Sequence, residues 1–349
     1  MLKVAMIGCG GIGYYHLGHL KQYGDIIELV GMCDIISEKA EEYAEEVGCK
    51  AYTDYKAMLD DAKPEAVFIC VPPDCHGEIE NDLIDRNIPF FVEKPLALDI
   101  ALAKQIEKRI LEKNLITAVG FQCRYDSLAE HVKAFAEKNT VPFIDCTRFG
   151  GVPEQEWWKV KERSGGQLVE QTVHQLDYIR YAFGEPDTVF SMAARGYVTD
   201  IEGFDTDDLS ATVVRFENGT LATIATGCYA KSGDCFDSKF IFSAPDKRGE
   251  MHLLSKFEIF GEVEQEKEDG FLISGDGGMG GASDEGTVIQ NSVDAGLVCD
   301  RTFLEAVISG DGSKIRSPYS DGLKSVAFGL ACNKSMETGL PVKISEFLK

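Results

Sequence analysis

Residues 164–177 read SGGQLVEQTVHQLD and place two carboxylates and an imidazole at helical intervals. Leu168, Val169, Val173, Leu176 and Ile179 have the apolar spacing of a helix, which would align Glu170, His174 and Asp177 in one stripe. Such a stripe is either a solvated helix face or an acid–base constellation. In the second reading His174 is the general base, since an imidazole titrates near working pH. Glu170, one turn earlier, would orient the ring and stabilise its charged form. Asp177, about one turn later, would grip a substrate hydroxyl.

A second group of residues could hold a dinucleotide. Gly8, Cys9, Gly10, Gly11, Ile12 and Gly13 fit the pattern G-x-G-x-x-G, follow an apolar run and open a helical segment. Gly8 permits the turn, Gly10 lets backbone approach a pyrophosphate, and Gly13 lets helix and strand pack closely. Free N–H groups and the helix dipole would then meet the phosphate charge. Cys33-Asp34 ends the next apolar run. A carboxylate there accepts both ribose hydroxyls and repels a 2′-phosphate, which favours NAD over NADP. His16 and His19 lie one turn apart on the helix; packing on the sheet explains them more simply than a metal pair.

These residues need a scaffold, and the first 122 residues supply its pattern. LKVAMIG, IELVGMCD, AVFICV, PFFVE and LITAVGF alternate with amphipathic stretches, which predicts a doubly wound parallel sheet of the Rossmann type with helices on both faces. Ligands of such sheets lie outside the carboxyl ends of the strands. Val71, Pro72 and His76, then Glu93 and Lys94, then Gln122 stand at those ends and are expected to line the cofactor crevice. Lys94 precedes Pro95, which restricts it to extended conformations.

Residues 123–349 follow a different rhythm. FIDCTRFG, TVFSMAARGYV, LSATVVRF, TLATIATGCY, KFIFSA and KFEIFGEV predict a second, α/β domain with a large open, mostly antiparallel sheet, with NGT as a hairpin turn and a closing helix near 322–338. Arg124, Arg163, Trp157 and Trp158 sit close to the motifs. Arg124 and Trp158 are candidate substrate contacts, although core packing serves paired tryptophans equally well. The glycine-rich stretch 270–286 reads as surface loop or lid.

Taken together, Glu-Lys-Pro after the glycine fingerprint, the run Gly120-Phe121-Gln122-Cys123-Arg124-Tyr125, and a GG…H-x-x-D helix resemble the Gfo/Idh/MocA oxidoreductases, the relatives of glucose–fructose oxidoreductase and inositol dehydrogenase. The resemblance covers essentially the whole chain. It implies hydride transfer between NAD(P) and a hydroxyl carbon of a sugar or cyclitol, with Lys94 and His174 at the reacting carbon, Glu93 at the cofactor and Asp177 on the substrate. Glu170 departs from the aspartate usual in inositol dehydrogenase relatives by one methylene. The resemblance also implies a homodimer or homotetramer built through the C-terminal sheet. Two other chemistries fit the same motifs: a redox-neutral glycosidase that keeps its NAD, and a non-catalytic NAD-binding regulator, which would not need Lys94 and His174 together.

Composition narrows the partners. The 349 residues exceed one ordinary core, and a net charge of -23 repels nucleic acid and anionic membrane. No apolar run approaches a membrane span or a signal segment. Eleven scattered cysteines without a C-x-x-C pair predict free thiols in a reducing cytoplasm, with neither a disulfide framework nor a metal site.

Overall fold

The computed structural model describes residues 1–261 and 286–348; the expected lid, except Gly286, lies outside the described residues. Strands β1 (Leu2–Ile7), β2 (Ile27–Cys33), β3 (Lys50–Tyr52), β4 (Ala66–Ile69), β5 (Phe90–Val92) and β6 (Thr117–Val119) form a parallel sheet in the order 3-2-1-4-5-6. Buried on both faces, β4 and β5 have no polar alternation. The order reverses between β1 and β4, so their carboxyl ends open the crevice where a dinucleotide lies in this topology.

The second sheet comprises β7 (Phe143–Gly150), β8 (Pro186–Ala194), β9 (Leu209–Phe216), β10 (Leu221–Cys228), β11 (Asp237–Ser243), β12 (Arg248–His252), β13 (Lys256–Phe260), β14 (Thr287–Gln290) and β15 (Val342–Lys343). Its order is 14-13-12-11-7-10-9-8-15, and β7–β10 is its parallel pair in an otherwise antiparallel ladder. Alternation divides its faces. Ile144, Cys146, Val189, Val214 and Ile224 point into a core shared with helices Ala129–Lys138, Val173–Phe183 and Tyr319–Thr338. On the other face Phe143, Phe190, Met192, Val213 and Leu221 are exposed.

The cores do not follow chain order. Helix Ala295–Ser309, far past the expected boundary at 122, contributes Cys299, Phe303 and Leu304 to the cluster that holds Val4, Met6 and Phe68. The same helix carries Asp300, which is fully buried. His16 Nδ1 lies 2.9 Å and His19 Nδ1 2.7 Å from Asp300 Oδ2, and His16 Nε2 lies 3.0 Å from Glu93 Oε1. Two carboxylates therefore face the two nitrogens of one ring, and both nitrogens must carry hydrogen. Burial opposes the charge, but Asp300 and Glu93 outweigh it and push the His16 pKa up to about 10. His16 is an imidazolium that joins three segments of the fold; the His16–His19 pair is thus engaged with carboxylates as well as packed.

His16→Gln should lower stability by about 3 kcal/mol or more, because it removes the cation between two buried carboxylates, as read by chemical denaturation. The sign with pH follows from the upward shift. His16's contribution is complete below its usual 6.5 and is lost as pH rises toward about 10. The wild type should therefore lose more stability over that interval than the variant.

Candidate active site between the two sheets

The glycine turn has the geometry the spacing predicts. Gly8 has φ +99°, and a Cβ there would meet the Cys70 carbonyl oxygen at 2.3 Å. A Cβ at Gly13 would meet the Gly8 carbonyl oxygen at 2.3 Å, so helix Gly11–Leu20 lies hard against its strand. Gly10 and Gly11 face open space, and no side chain caps the helix. Uncapped N–H groups over an open cradle suit a pyrophosphate. Asp34 stands beside them: its Oδ2 accepts from Cys9 N at 2.8 Å and its Oδ1 from Ile36 N at 2.9 Å. Ile12, Ile35 and Ile36 are exposed at this rim, and Val71 and Pro72 are half-buried at the end of β4.

Other expected cofactor contacts are positioned differently. His76 Nδ1 is held by Glu80 Oε1 at 2.6 Å with its ring sealed from solvent, and its Nε2 has no partner. Glu93 turns inward to His16, and its Oε2 accepts the Lys94 N–H at 3.1 Å. A Cβ on Gly120 would meet Glu93 Oε1 at 2.0 Å. Glu93 thus props the crevice floor. Gln122 Oε1 accepts from the Tyr15 hydroxyl at 2.8 Å.

The expected stripe of Glu170, His174 and Asp177 is broken. One helix spans Gly166–Glu170 and the next begins at Val173. Thr172 N bonds the Gln167 carbonyl, five residues back, at 3.0 Å. That wide turn swings Glu170 out of register with His174. Glu170, expected to orient His174, instead accepts from Lys94 Nζ at 2.6 Å and from Trp158 Nε1 and Gln171 Nε2, both at 2.5 Å. Burial works against its charge, yet the Lys94 ammonium and these donors hold its carboxyl below the usual range.

Trp158 is fully buried as a donor to Glu170 and is not a platform for a sugar ring. Asp177 is likewise corrected: it is fully buried, and Arg124 Nε and Nη2 donate to it at 2.7 and 2.5 Å, with Ser325 Oγ at 2.6 Å. The carboxylate and guanidinium expected on substrate occupy each other. Arg163 closes an ion pair with Asp74 at 2.6 Å, tying the two halves together.

Lys94 and His174 keep unused hydrogen-bonding capacity. Lys94 Nζ also donates to the Glu170 carbonyl at 3.0 Å, which leaves one of three ammonium protons for a ligand. His174 Nδ1 lies 4.0 Å from Cys123 Sγ, and its Nε2 takes no protein partner among the described residues. Burial pushes the imidazole down to about 3, with Lys94 and Arg148 adding to the effect and Glu170 opposing it. Spacing gave no sign of Arg148: it lies beyond the motif, on β7, where alternation is its one signal.

A nucleotide cradle at a sheet's switch point, facing an ammonium and a neutral imidazole, defines a nicotinamide-dependent oxidoreductase. Comparison with known proteins agrees. Residues 2–121 match the oxidoreductase family model with the NAD-binding Rossmann fold, and residues 141–262 match the GFO/IDH/MocA C-terminal domain. A myo-inositol 2-dehydrogenase of Thermotoga maritima is 26% identical, covering 99% of this chain and 100% of its own. The scyllo-inositol 2-dehydrogenase (NAD(+)) of Bacillus subtilis is 27% identical, over 64% of this chain and 66% of its own. In fold, the WlbA dehydrogenase of Bordetella pertussis, solved with NADH and UDP-GlcNAcA, superposes with a TM-score of 0.80 at 18% identity, covering 98% of each chain. The chain belongs to the Gfo/Idh/MocA family of oxidoreductases, and its cofactor is NAD.

Asp34 is the residue expected to discriminate between the cofactors. NAD should bind at least about tenfold more tightly than NADP, since a carboxylate repels the 2′-phosphate, and Asp34→Ala should narrow that gap. Fluorescence titration with NADH and NADPH reads both; equal wild-type affinities would remove Asp34 from this role.

Proposed function

We propose that this enzyme oxidises a secondary alcohol carbon of a sugar or cyclitol, or reduces the corresponding ketone. The observation that carries the reading is Lys94, from the end of the first sheet, held by Glu170 of the second half with a donor left over. NAD⁺, when bound, supplies the hydride acceptor; the chain's own residues manage the oxygen and its proton. Lys94 donates to the substrate oxygen and stabilises negative charge developing there. His174 Nε2 takes the hydroxyl proton as the carbinol C–H bond is lost and the carbonyl forms. Glu170 holds Lys94 charged and aimed, and Trp158 and Gln171 hold Glu170.

The neutral imidazole suits the first half of this exchange, because a base must enter unprotonated. Its pKa lies below the usual 6.5, so the acid limb of kcat/KM should fall below that of free imidazole, leaving activity level down to about pH 5. A limb at or above 6.5 would argue against His174 as base. His174→Asn and Lys94→Ala should each reduce turnover by about 10²- to 10⁴-fold with circular dichroism unchanged. One NADH should accumulate per carbonyl formed; cleaved glycoside without NADH would identify the redox-neutral chemistry instead.

The apolar outer face of the second sheet supports self-association as a homodimer or homotetramer. Val213→Lys, at an outward position that is 51% exposed, should shift the sedimentation coefficient toward a monomer. No helix among the described residues is long and apolar enough to cross a membrane.

A further inference from the structure

A single row of side chains crosses the inner face of the second sheet at its site end. Ser210 of β9 pairs with Thr226 of β10, Thr226 with Arg148 of β7, and Arg148 with Ser238 of β11. All four reach the segment that carries Glu170 and His174. Gln167 Nε2 donates to Ser210 at 2.9 Å, Thr226 bonds Thr172 and Gln167, and Gln175 Nε2 donates to Ser238 at 2.9 Å. Arg148 Nη2 donates to Gln171 Oε1 at 2.6 Å. Neutral hydroxyls fasten this segment at three of the four points, so fastening alone does not call for a charge at the fourth.

The charge on Arg148 is uncompensated. Its other contacts are Cys228 Sγ at 2.8 Å and the Gly227 carbonyl at 3.3 Å, and among the described residues no carboxylate pairs with it. Glu170, the nearest acid along the chain of bonds, is already engaged by Lys94, Trp158 and Gln171. The guanidinium is half-buried and keeps donors in reserve. With His174 neutral and Glu170 paired to Lys94, the Arg148 guanidinium has no counter-charge beside it on the segment it holds.

We infer that Arg148 recognises an anionic group on the substrate, and that this group is a carboxylate. The enzyme's substrates are then sugar acids, and neutral cyclitols are turned over less well. A planar guanidinium matches a carboxylate through two parallel N–H donors, and the single charge of Arg148 balances a monoanion where a phosphate dianion would need two. Arg148 is thereby a specificity-determining residue of the site proposed above, and the inference rests on that reading.

The test compares kcat/KM for D-gluconate and D-glucuronate with D-glucose, myo-inositol and D-glucose 6-phosphate, using NAD⁺ and the full chain. The best acid should exceed the best neutral polyol by at least about 100-fold, the scale of a buried charged contact. Arg148→Gln should collapse that ratio toward one, mainly through KM, while Arg148→Lys keeps part of it. A wild-type ratio near one, or a ratio that Arg148→Gln leaves standing, overturns the inference and leaves the dehydrogenase reading intact. Preference for the phosphate ester overturns the carboxylate. Equal losses on acid and neutral substrates in Arg148→Gln would make it a strut for Gln171. Quenching of bound NADH fluorescence by the same acids gives a second readout. Failure of every compound to yield NADH, with acid binding that still depends on Arg148, would sink the dehydrogenase reading and keep Arg148 as the anion site.

Discussion

The contact between Lys94 and Glu170 is the constraint around which the site is built. One partner ends a strand of the first sheet, the other ends a short helix on the second, and both are largely buried. An ion pair in such surroundings gains little net stability over an apolar pair, but losing one partner leaves an uncompensated charge and is strongly unfavourable. The pair therefore acts mainly as a register mark. Among the ways the two halves could meet, those that separate the ammonium from the carboxylate are excluded.

Several features follow from that mark. Trp158 and Gln171 point at Glu170 because a buried carboxylate needs more than one donor. The wide turn at Thr172 lets Glu170 face the lysine while His174 stays in the cleft. Burial, with the nearby ammonium adding to it, then keeps the imidazole in its basic form. Arg124 and Asp177 repeat the device one turn along the helix, deeper in the core, where it anchors the helix and does not face the cleft.

Much of this was legible in the residues. Alternating apolar runs give the parallel sheet almost strand by strand, because strands buried on both faces need continuous hydrophobicity. The glycine turn was readable since each glycine answers a separate steric demand. Partner choice was not. Helical spacing put Glu170, His174 and Asp177 on one stripe, and a single bond to a carbonyl five residues back undid it; no local pattern signals such a turn. Asp177 read as a substrate ligand because nothing nearby in sequence reveals that Arg124, 53 residues away, will reach it. Trp158 looked like a stacking surface until its indole N–H found Glu170. Helix Ala295–Ser309 carries its own amphipathic logic, but that logic does not say which core it completes.

That late helix has a consequence for how the protein comes into being. The core around Val4 and Phe68 stays open on one side, and His16 faces a single carboxylate, until Asp300 has been synthesised. At ordinary elongation speeds roughly ten to forty seconds separate the end of the first sheet from this helix. During that interval the nascent N-terminal half exposes an apolar groove where Cys299, Phe303 and Leu304 will pack, and one nitrogen of His16 lacks its carboxylate partner. A fragment that stops after the first sheet would remain in that state permanently.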